Sequence, residues 1–225
     1  MLPEQLLDCE REAFLWLNGG HTPFWDSFIW LYSGKAVWIP VALWILFTIC
    51  YRKSGKESLL VLICLVLVIT LSDQFASGIC KPLFARPRPT HHPDFCQLVQ
   101  IIGDYRGGRY GFISSHAANA FGFAVFTLLL FRSRSYTLTI LLWSVYMAYT
   151  RIYMGVHFIS DILPGALAGA LFGFAGYKLY HWTRRKIGKQ ADERPVYTPA
   201  QIRTVICGLG LTIGYMFVYS WIKTG

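Results

Sequence analysis

Charge is scarce in this chain. Of its 225 residues only 15% are Asp, Glu, Lys or Arg, against about 25% in an ordinary soluble domain. Acidic residues are the scarcer kind, 12 against 21 Lys and Arg. Hydrophobic residues make up 54%, in blocks too long and too pure for a soluble core. This excludes a disordered chain and an ordinary cytosolic enzyme. The cysteines (Cys9, Cys50, Cys64, Cys80, Cys96 and Cys207) include no CxxC pair, and three of them lie inside apolar runs. A disulfide or metal framework is therefore unsupported, and spacing leaves open whether Cys80 and Cys96 meet. No zinc knuckle, helix-turn-helix or arginine-rich arm accompanies the net charge of +9, so that charge does not point to nucleic acid. No basic start leads into a pure apolar run at the N-terminus, which argues against a cleaved signal peptide.

What the chain has is long apolar segments. A membrane-spanning helix needs about 20 mainly apolar residues. Six candidates are read: Ala36–Tyr51, Leu59–Cys80, Gly111–Phe131, Ser135–Thr150, Asp161–Tyr177 and Thr204–Ile222. Unpaired backbone amides are costly in lipid, so these are helices rather than open strands. The expected fold is an all-α integral membrane protein, a six-helix bundle over residues 35–225. Residues 1–34 read as a separate amphipathic region. There Leu6, Leu7, Phe14 and Leu17 share a helical face, with Glu4, Asp8, Arg11 and Glu12 between them. Thr22–Gly34, rich in aromatics, either lies at the interface or extends the first span. Pro40 and Pro164 are expected to kink or start helices. Gly165, Gly169 and Gly173, spaced by four, are expected to let a neighbouring helix approach closely. Asp73, inside the second segment, should face the bundle.

Basic residues set the orientation. Arg52, Lys53 and Lys56, then Arg132 and Arg134, then Lys178, Arg184, Arg185, Lys186, Lys189, Arg194 and Arg203 fall in alternate loops, twelve of the 21. Such loops face the cytoplasm, which puts both termini and the remaining loops on the other side.

On that other side three polar clusters interrupt the apolar pattern. They are Lys81 to Pro89, Ile113 to His116, and Thr150 to Asp161. Two crossings separate the second from the third, so all three meet one membrane face. Lys81, Arg88 and Arg151 supply cations, Ser114 a hydroxyl, and His116 and His157 imidazoles. Asp161, four residues after His157, reaches the same side of a helix or tight turn. A carboxylate fixes the tautomer of its imidazole and leaves the other nitrogen free to attack. Cations and hydroxyls match the oxygens of a phosphoryl group in transfer. Taken singly, each residue also has a plainer account. Lys81 and Arg151 would snorkel at span ends, His116 would be an interior histidine, and His157 with Asp161 would cap a helix.

Lys-x6-Arg-Pro, Ser-x-His and Arg-x5-His-x3-Asp together resemble the three-part signature of the type 2 phosphatidic acid phosphatase (PAP2) superfamily. That superfamily also holds vanadium haloperoxidases and glucose-6-phosphatase. The likeness extends from about Ala36 onward. Two departures stand out: Ile113 and Ser115 replace a usual Pro and Gly, and Thr150 replaces a usual Ser.

The resemblance implies that His157 attacks phosphorus and becomes a phosphohistidine, with Asp161 orienting it. His116 would protonate the leaving oxygen and then activate water. Lys81, Arg88, Ser114, Ser115 and Arg151 would hold the phosphate, with no metal and no cofactor. The implied partners are the bilayer and a phosphorylated lipid: undecaprenyl diphosphate, lipid A, phosphatidylglycerol phosphate or phosphatidic acid. The implied place is a bacterial inner membrane with the site facing the periplasm. One neutral and one protonated imidazole would give a bell-shaped pH profile. Competing readings are a transporter or lipid-binding scaffold, and vanadate-dependent halide oxidation. His91, His92 and Asp94 read as a solvated loop or a headgroup contact, and Arg86, Asp104, Arg106, Arg109 and Tyr110 as possible lining of a headgroup pocket. Oligomeric state is left open.

Overall fold

A computed structural model describes residues 4–51, 53–187 and 197–225, with side chains from residue 8 onward. The expected cytoplasmic residues Arg52, Lys189 and Arg194, and the side chains of Glu4, Leu6 and Leu7, lie outside the described residues. Among the described residues the regular structure is helical, with one isolated bridge between Pro87 and Tyr110.

Helix α1 (Glu4–Asn18) and α2 (Pro23–Ser33) lead to a 3-10 turn, Ala36–Trp38, and α3 (Ile39–Cys50). Pro23 and Pro40 sit in the first turns of α2 and α3, where the missing N–H costs nothing. At Gly34 the chain leaves α2, its amide still bonded to the carbonyls of Trp30 and Leu31. The axis bends there by 64° before Ala36–Cys50, so Thr22–Gly34 does not run into the first span as one straight helix.

Helix α4 (Gly55–Gln74) is capped by Ser54, whose hydroxyl accepts from Glu57 N at 3.3 Å. It continues through a π-helical stretch, Phe75–Cys80, into α5 (Lys81–Phe84). After a long loop come α6 (Ser115–Phe131), α7 (Arg134–Tyr153), α8 (Ile159–Lys186) and α9 (Pro199–Thr224). Serine or threonine caps α6, α7 and α9 through Ser114, Ser133 and Thr198, supplying acceptors for otherwise orphaned amides.

Among the described residues three helical stretches are long and apolar enough to cross a bilayer: Gly55–Phe84, Ile159–Lys186 and Pro199–Thr224. A fourth qualifies if Pro23–Ser33 and Ala36–Cys50 count as one broken span. The protein is a membrane protein on this composition. The expected six are not all reached on these grounds: α6 has 17 residues and α3 has 12, while α7 has 20 but is not among the stretches that are apolar enough.

The glycine stripe fastens the centre. A Cβ added at Gly165, Gly169 or Gly173 would lie 2.6, 2.0 or 2.5 Å from the carbonyl oxygen of Ser114, Ala118 or Gly122. The backbones of α8 and α6 therefore touch along three turns, as expected for small residues between packed helices. That contact sets the start of α8 beside the start of α6, where Ser114 N donates to Asp161 O at 3.0 Å. All six cysteines are free thiols, Cys80 and Cys96 included.

Candidate active site

Each cluster is placed by local rules. Lys81 lies on the last turns of the α4–α5 rod, which ends where Ala85 adopts a left-handed conformation with φ of 44°. Pro87 and Arg88 then run extended until a 3-10 turn begins at Pro89. The chain here is tied to the segment before α6 by Arg88 N donating to Arg109 O at 3.2 Å and Gly111 N to Arg86 O at 2.9 Å. Ser114 is the N-cap of α6, so Ser115 and His116 open that helix. Arg151 is on the last turn of α7. Gly155, with φ of 73°, turns the chain back so that His157 precedes α8 and Asp161 sits in its first turn.

The groups converge as follows. Arg88 Nη1 donates to His157 Nε2 at 3.2 Å and to Val156 O at 3.1 Å, while its Nε donates to Tyr110 O at 3.1 Å. An imidazole nitrogen that accepts from a guanidinium carries its lone pair there, so the ring proton belongs on Nδ1. Nδ1 faces Asp161 Oδ2 at 3.4 Å. The same Oδ2 accepts from Phe158 N at 3.0 Å. Asp161 thus both caps α8 and meets His157, so the capping role and the role beside the imidazole coexist. His157, Asp161, Ser114 and Arg151 are at most 2% exposed, and Arg88 is 8% exposed.

Lys81 Nζ donates to Ser115 Oγ and to Ser77 Oγ, each at 3.2 Å. The Ser115 hydroxyl, at one of the positions that depart from the family pattern, therefore accepts from the lysine and keeps its O–H as a donor. Arg151 donates to Ser33 Oγ and, at 3.3 Å, to Tyr105 OH. His116 lines a cavity of about 430 Å³ together with Ser33, Lys35, Asp73, Ser115 and Asn119. Below them the walls are apolar, including Val41, Ile45, Leu65, Ile69 and Phe123. Asp73 faces this cavity and accepts from Asn119 Nδ2 at 3.3 Å.

Among the described residues, Lys81, Arg88 and Arg151 form no ion pair with a carboxylate. Burial is the main cause that pushes the His157 imidazole well below its ordinary value of 6.5, and Arg88, Arg151 and Lys81 push it the same way. His157 is therefore neutral at neutral pH.

Several contributors escaped the sequence reading. Gly111 is one: an added Cβ would lie 2.9 Å from Asp161 Oδ2 and 3.3 Å from Arg88 Cγ, and no motif marks it. Ser33 and Tyr105, the partners of Arg151, come from segments with no catalytic pattern. Arg86, expected near a headgroup, instead donates to Asp161 Oδ1 at 3.1 Å. Arg106 is bonded to Thr90, through Nη1 to its carbonyl at 3.3 Å, and Arg109 lies over the Tyr110 ring. His91 Nδ1 is 3.1 Å from Thr90 Oγ1. Among the described residues no three His, Cys, Asp or Glu side chains are grouped to hold a metal ion, the His91, His92 and Asp94 loop included.

Residues 62–185 match the model of the PAP2 superfamily. The chain belongs to that superfamily. It is 42% identical over 219 residues to the lipid A 4'-phosphatase of Porphyromonas gingivalis, covering 95% of this chain and 91% of that protein. The lipid A 4'-phosphatase of Bacteroides thetaiotaomicron is 34% identical over 226 residues, covering 98% and 99%. The crystal structure of Aquifex aeolicus LpxE superposes with a TM-score of 0.59 at 27% identity, over 74% of this chain and 93% of that one. The PAP2 assignment made from the three motifs stands, and the protein is an enzyme of the phosphatase class.

Proposed function

We propose that this chain is a metal-independent lipid phosphatase, that its substrate is a lipid A-type phosphorylated glycolipid, and that it works through a phosphohistidine. The observation that carries this is the line Arg88–His157–Asp161, beside two further cations that pair with no carboxylate among the described residues. A phosphoryl group supplies the missing negative charge. Its oxygens would be held by Lys81, Arg88, Ser114, Ser115 and Arg151, planar guanidiniums being suited to two oxygens at once. His157 Nε2 attacks phosphorus, forming an N–P bond as the bond to the lipid oxygen breaks, and Asp161 balances the charge gained by the ring. His116 gives its proton to the departing lipid oxygen, then takes one from water as that water displaces histidine from phosphorus. Inorganic phosphate leaves, and both imidazoles return to their starting state.

The choice of lipid A over undecaprenyl diphosphate rests on the two relatives similar over nearly the full chain. The cavity running from His116 down to Phe123 and Leu209 suits a substrate whose tail stays in the bilayer. We place the protein in a bacterial inner membrane with six spans, α3 to α9 with α4–α5 as one, and the site on the periplasmic face. The loop charges support that orientation. Residues 1–34 form the interfacial region in this reading.

The test is phosphate release from lipid A and from undecaprenyl diphosphate by purified protein in excess chelator. Release is expected with lipid A, together with a transient acid-labile, alkali-stable phosphoprotein. His157→Ala is expected to lower turnover by about 10^4-fold or more and to abolish the labelled intermediate. Metal-dependent turnover would contradict the scheme, and lipid binding without release would leave only a binding protein.

A further inference from the structure

Helix α1 reaches into the catalytic centre. Glu10 Oε2 accepts from Arg86 Nη2 at 3.0 Å, and Glu10 Oε1 accepts from Ser160 N, at the start of α8, at 2.7 Å. The same guanidinium donates through Nη1 to Asp161 Oδ1 at 3.1 Å and to Ser160 Oγ. Its carbon lies 4.6 Å from the Phe158 ring centroid. One turn along α1, fully buried Phe14 packs against Phe158 at 5.5 Å and Phe95 at 5.6 Å between centroids. Four charged or ionisable groups thus stand in a row with alternating demand: Glu10, Arg86, Asp161, His157.

The arrangement has a mechanical reading. Asp161 Oδ2 is held by Phe158 N, and Oδ1 is held by Arg86. Arg86 is on a loop and its side chain is 25% exposed, so one carboxylate alone would not keep it from turning toward water. Glu10, 12% exposed in its side chain, holds the other nitrogen. An ion pair screened from solvent in this way is worth more than a surface pair, and a guanidinium gripped at two nitrogens has a fixed plane.

We propose that Glu10 is a positioning residue of the reaction: acting through Arg86 it fixes the Asp161 carboxylate against His157, so that full kcat depends on the contact α1 makes there. The helix that sequence patterning marks as interfacial is then also a structural part of the site. This rests on the reading of His157 and Asp161 as the reacting pair, and the controls below separate the two.

The experiment is a double-mutant cycle on the full-length purified protein, with Glu10→Ala, Arg86→Ala and the double variant. Because Glu10 acts only through Arg86, Glu10→Ala should lower kcat about tenfold with KM within about twofold, and add nothing when Arg86 is already Ala. Glu10→Gln, which keeps the shape and one acceptor oxygen, should show a smaller loss in kcat alone and carries the test if the Ala variant fails to fold. An equal loss from Glu10→Ala in both backgrounds would overturn the proposal, because it would mean that Glu10 only anchors α1 to Ser160. So would a change confined to KM, or unchanged kcat. If His157→Ala retains turnover, the underlying catalytic reading fails. If His157→Ala is inactive while the Glu10 variants turn over normally, only the role of Glu10 fails.

Discussion

Two buried charged clusters sit at opposite ends of one rod and answer to different rules. Glu57 and Lys81 are 24 positions apart in the Gly55–Phe84 helix, about 36 Å at the usual rise. At the Glu57 end the charges cancel. Arg184 Nε reaches Glu57 Oε1 at 3.1 Å, and Tyr180 OH donates to the same carboxylate. At the Lys81 end they do not. Arg151, 2% exposed, has a buried Nε with no hydrogen-bond partner, and no carboxylate pairs with Lys81, Arg88 or Arg151 among the described residues. A balanced buried pair holds helices together, whereas an unbalanced set of cations is costly until an anion arrives. The difference separates structure from function without any motif.

Breaking each cluster should therefore fail in opposite ways. Arg151→Met removes a cation that no carboxylate pairs with among the described residues, so thermal unfolding in detergent should stay level or rise. Phosphate release should meanwhile fall by about 10^2- to 10^3-fold, the usual loss of one preorganised charge. Arg184→Met takes away the ion pair that Arg184 makes with buried Glu57 and should cost about 3 kcal/mol, with kcat per folded molecule unchanged. If Arg184→Met lost activity while keeping its melting temperature, the division between the two ends would be wrong.

A second contrast sharpens the role of packing. Gly169 and Gly210 are both helical glycines, but a Cβ at Gly169 would lie 2.0 Å from Ala118 O, while nothing lies within 4 Å at Gly210. Gly169→Ala must push α8 from α6 and should destabilise by about 1–3 kcal/mol. It should also reduce kcat, since the Ser114–Asp161 contact at the top of that pair would loosen. Gly210→Ala should be neutral or stabilise by up to about 1 kcal/mol, because alanine is the better helix former. Equal melting temperatures for the two variants would mean that the glycine stripe is not what sets the distance between the helices.

What the sequence shows and hides follows from which interactions are local. The apolar runs mark helices because burial in lipid acts on composition, and Lys81, Arg88, His116, Arg151, His157 and Asp161 stand out because polar residues interrupt those runs. The close approach at Gly165, Gly169 and Gly173 is legible from spacing alone. Glu10 was hidden, being one acid among several on an amphipathic helix whose polarity already had an explanation. Gly111, Ser33 and Tyr105 were hidden because their importance comes from a tertiary neighbour, and nothing in their own stretch of chain differs from an ordinary loop or helix end. The 64° break after α2 is likewise invisible in an aromatic-rich run, since Gly34 and Lys35 disturb its pattern little.

The smallest expected effect concerns pH and comes from the same unbalanced charge. His157 is buried among Arg88, Arg151 and Lys81, which holds its imidazole well below the ordinary value of 6.5. In the unfolded chain that ordinary value returns, so below pH 6.5 the unfolded state binds a proton that the folded state refuses. Its contribution to stability is complete above 6.5 and is lost as the pH falls toward the lower folded value, by up to about 1.4 kcal/mol per pH unit. As the proposed nucleophile, His157 stays neutral over that interval, so the fall in kcat that reports its protonation should come only at still lower pH. Melting curves from pH 7.5 to pH 5 should therefore slope downward for the native chain and slope less for His157→Gln, with the remainder assigned to other histidines. Parallel slopes would mean that His157 titrates as an ordinary exposed histidine, and the surplus of positive charge around it would then be neutralised by something other than substrate.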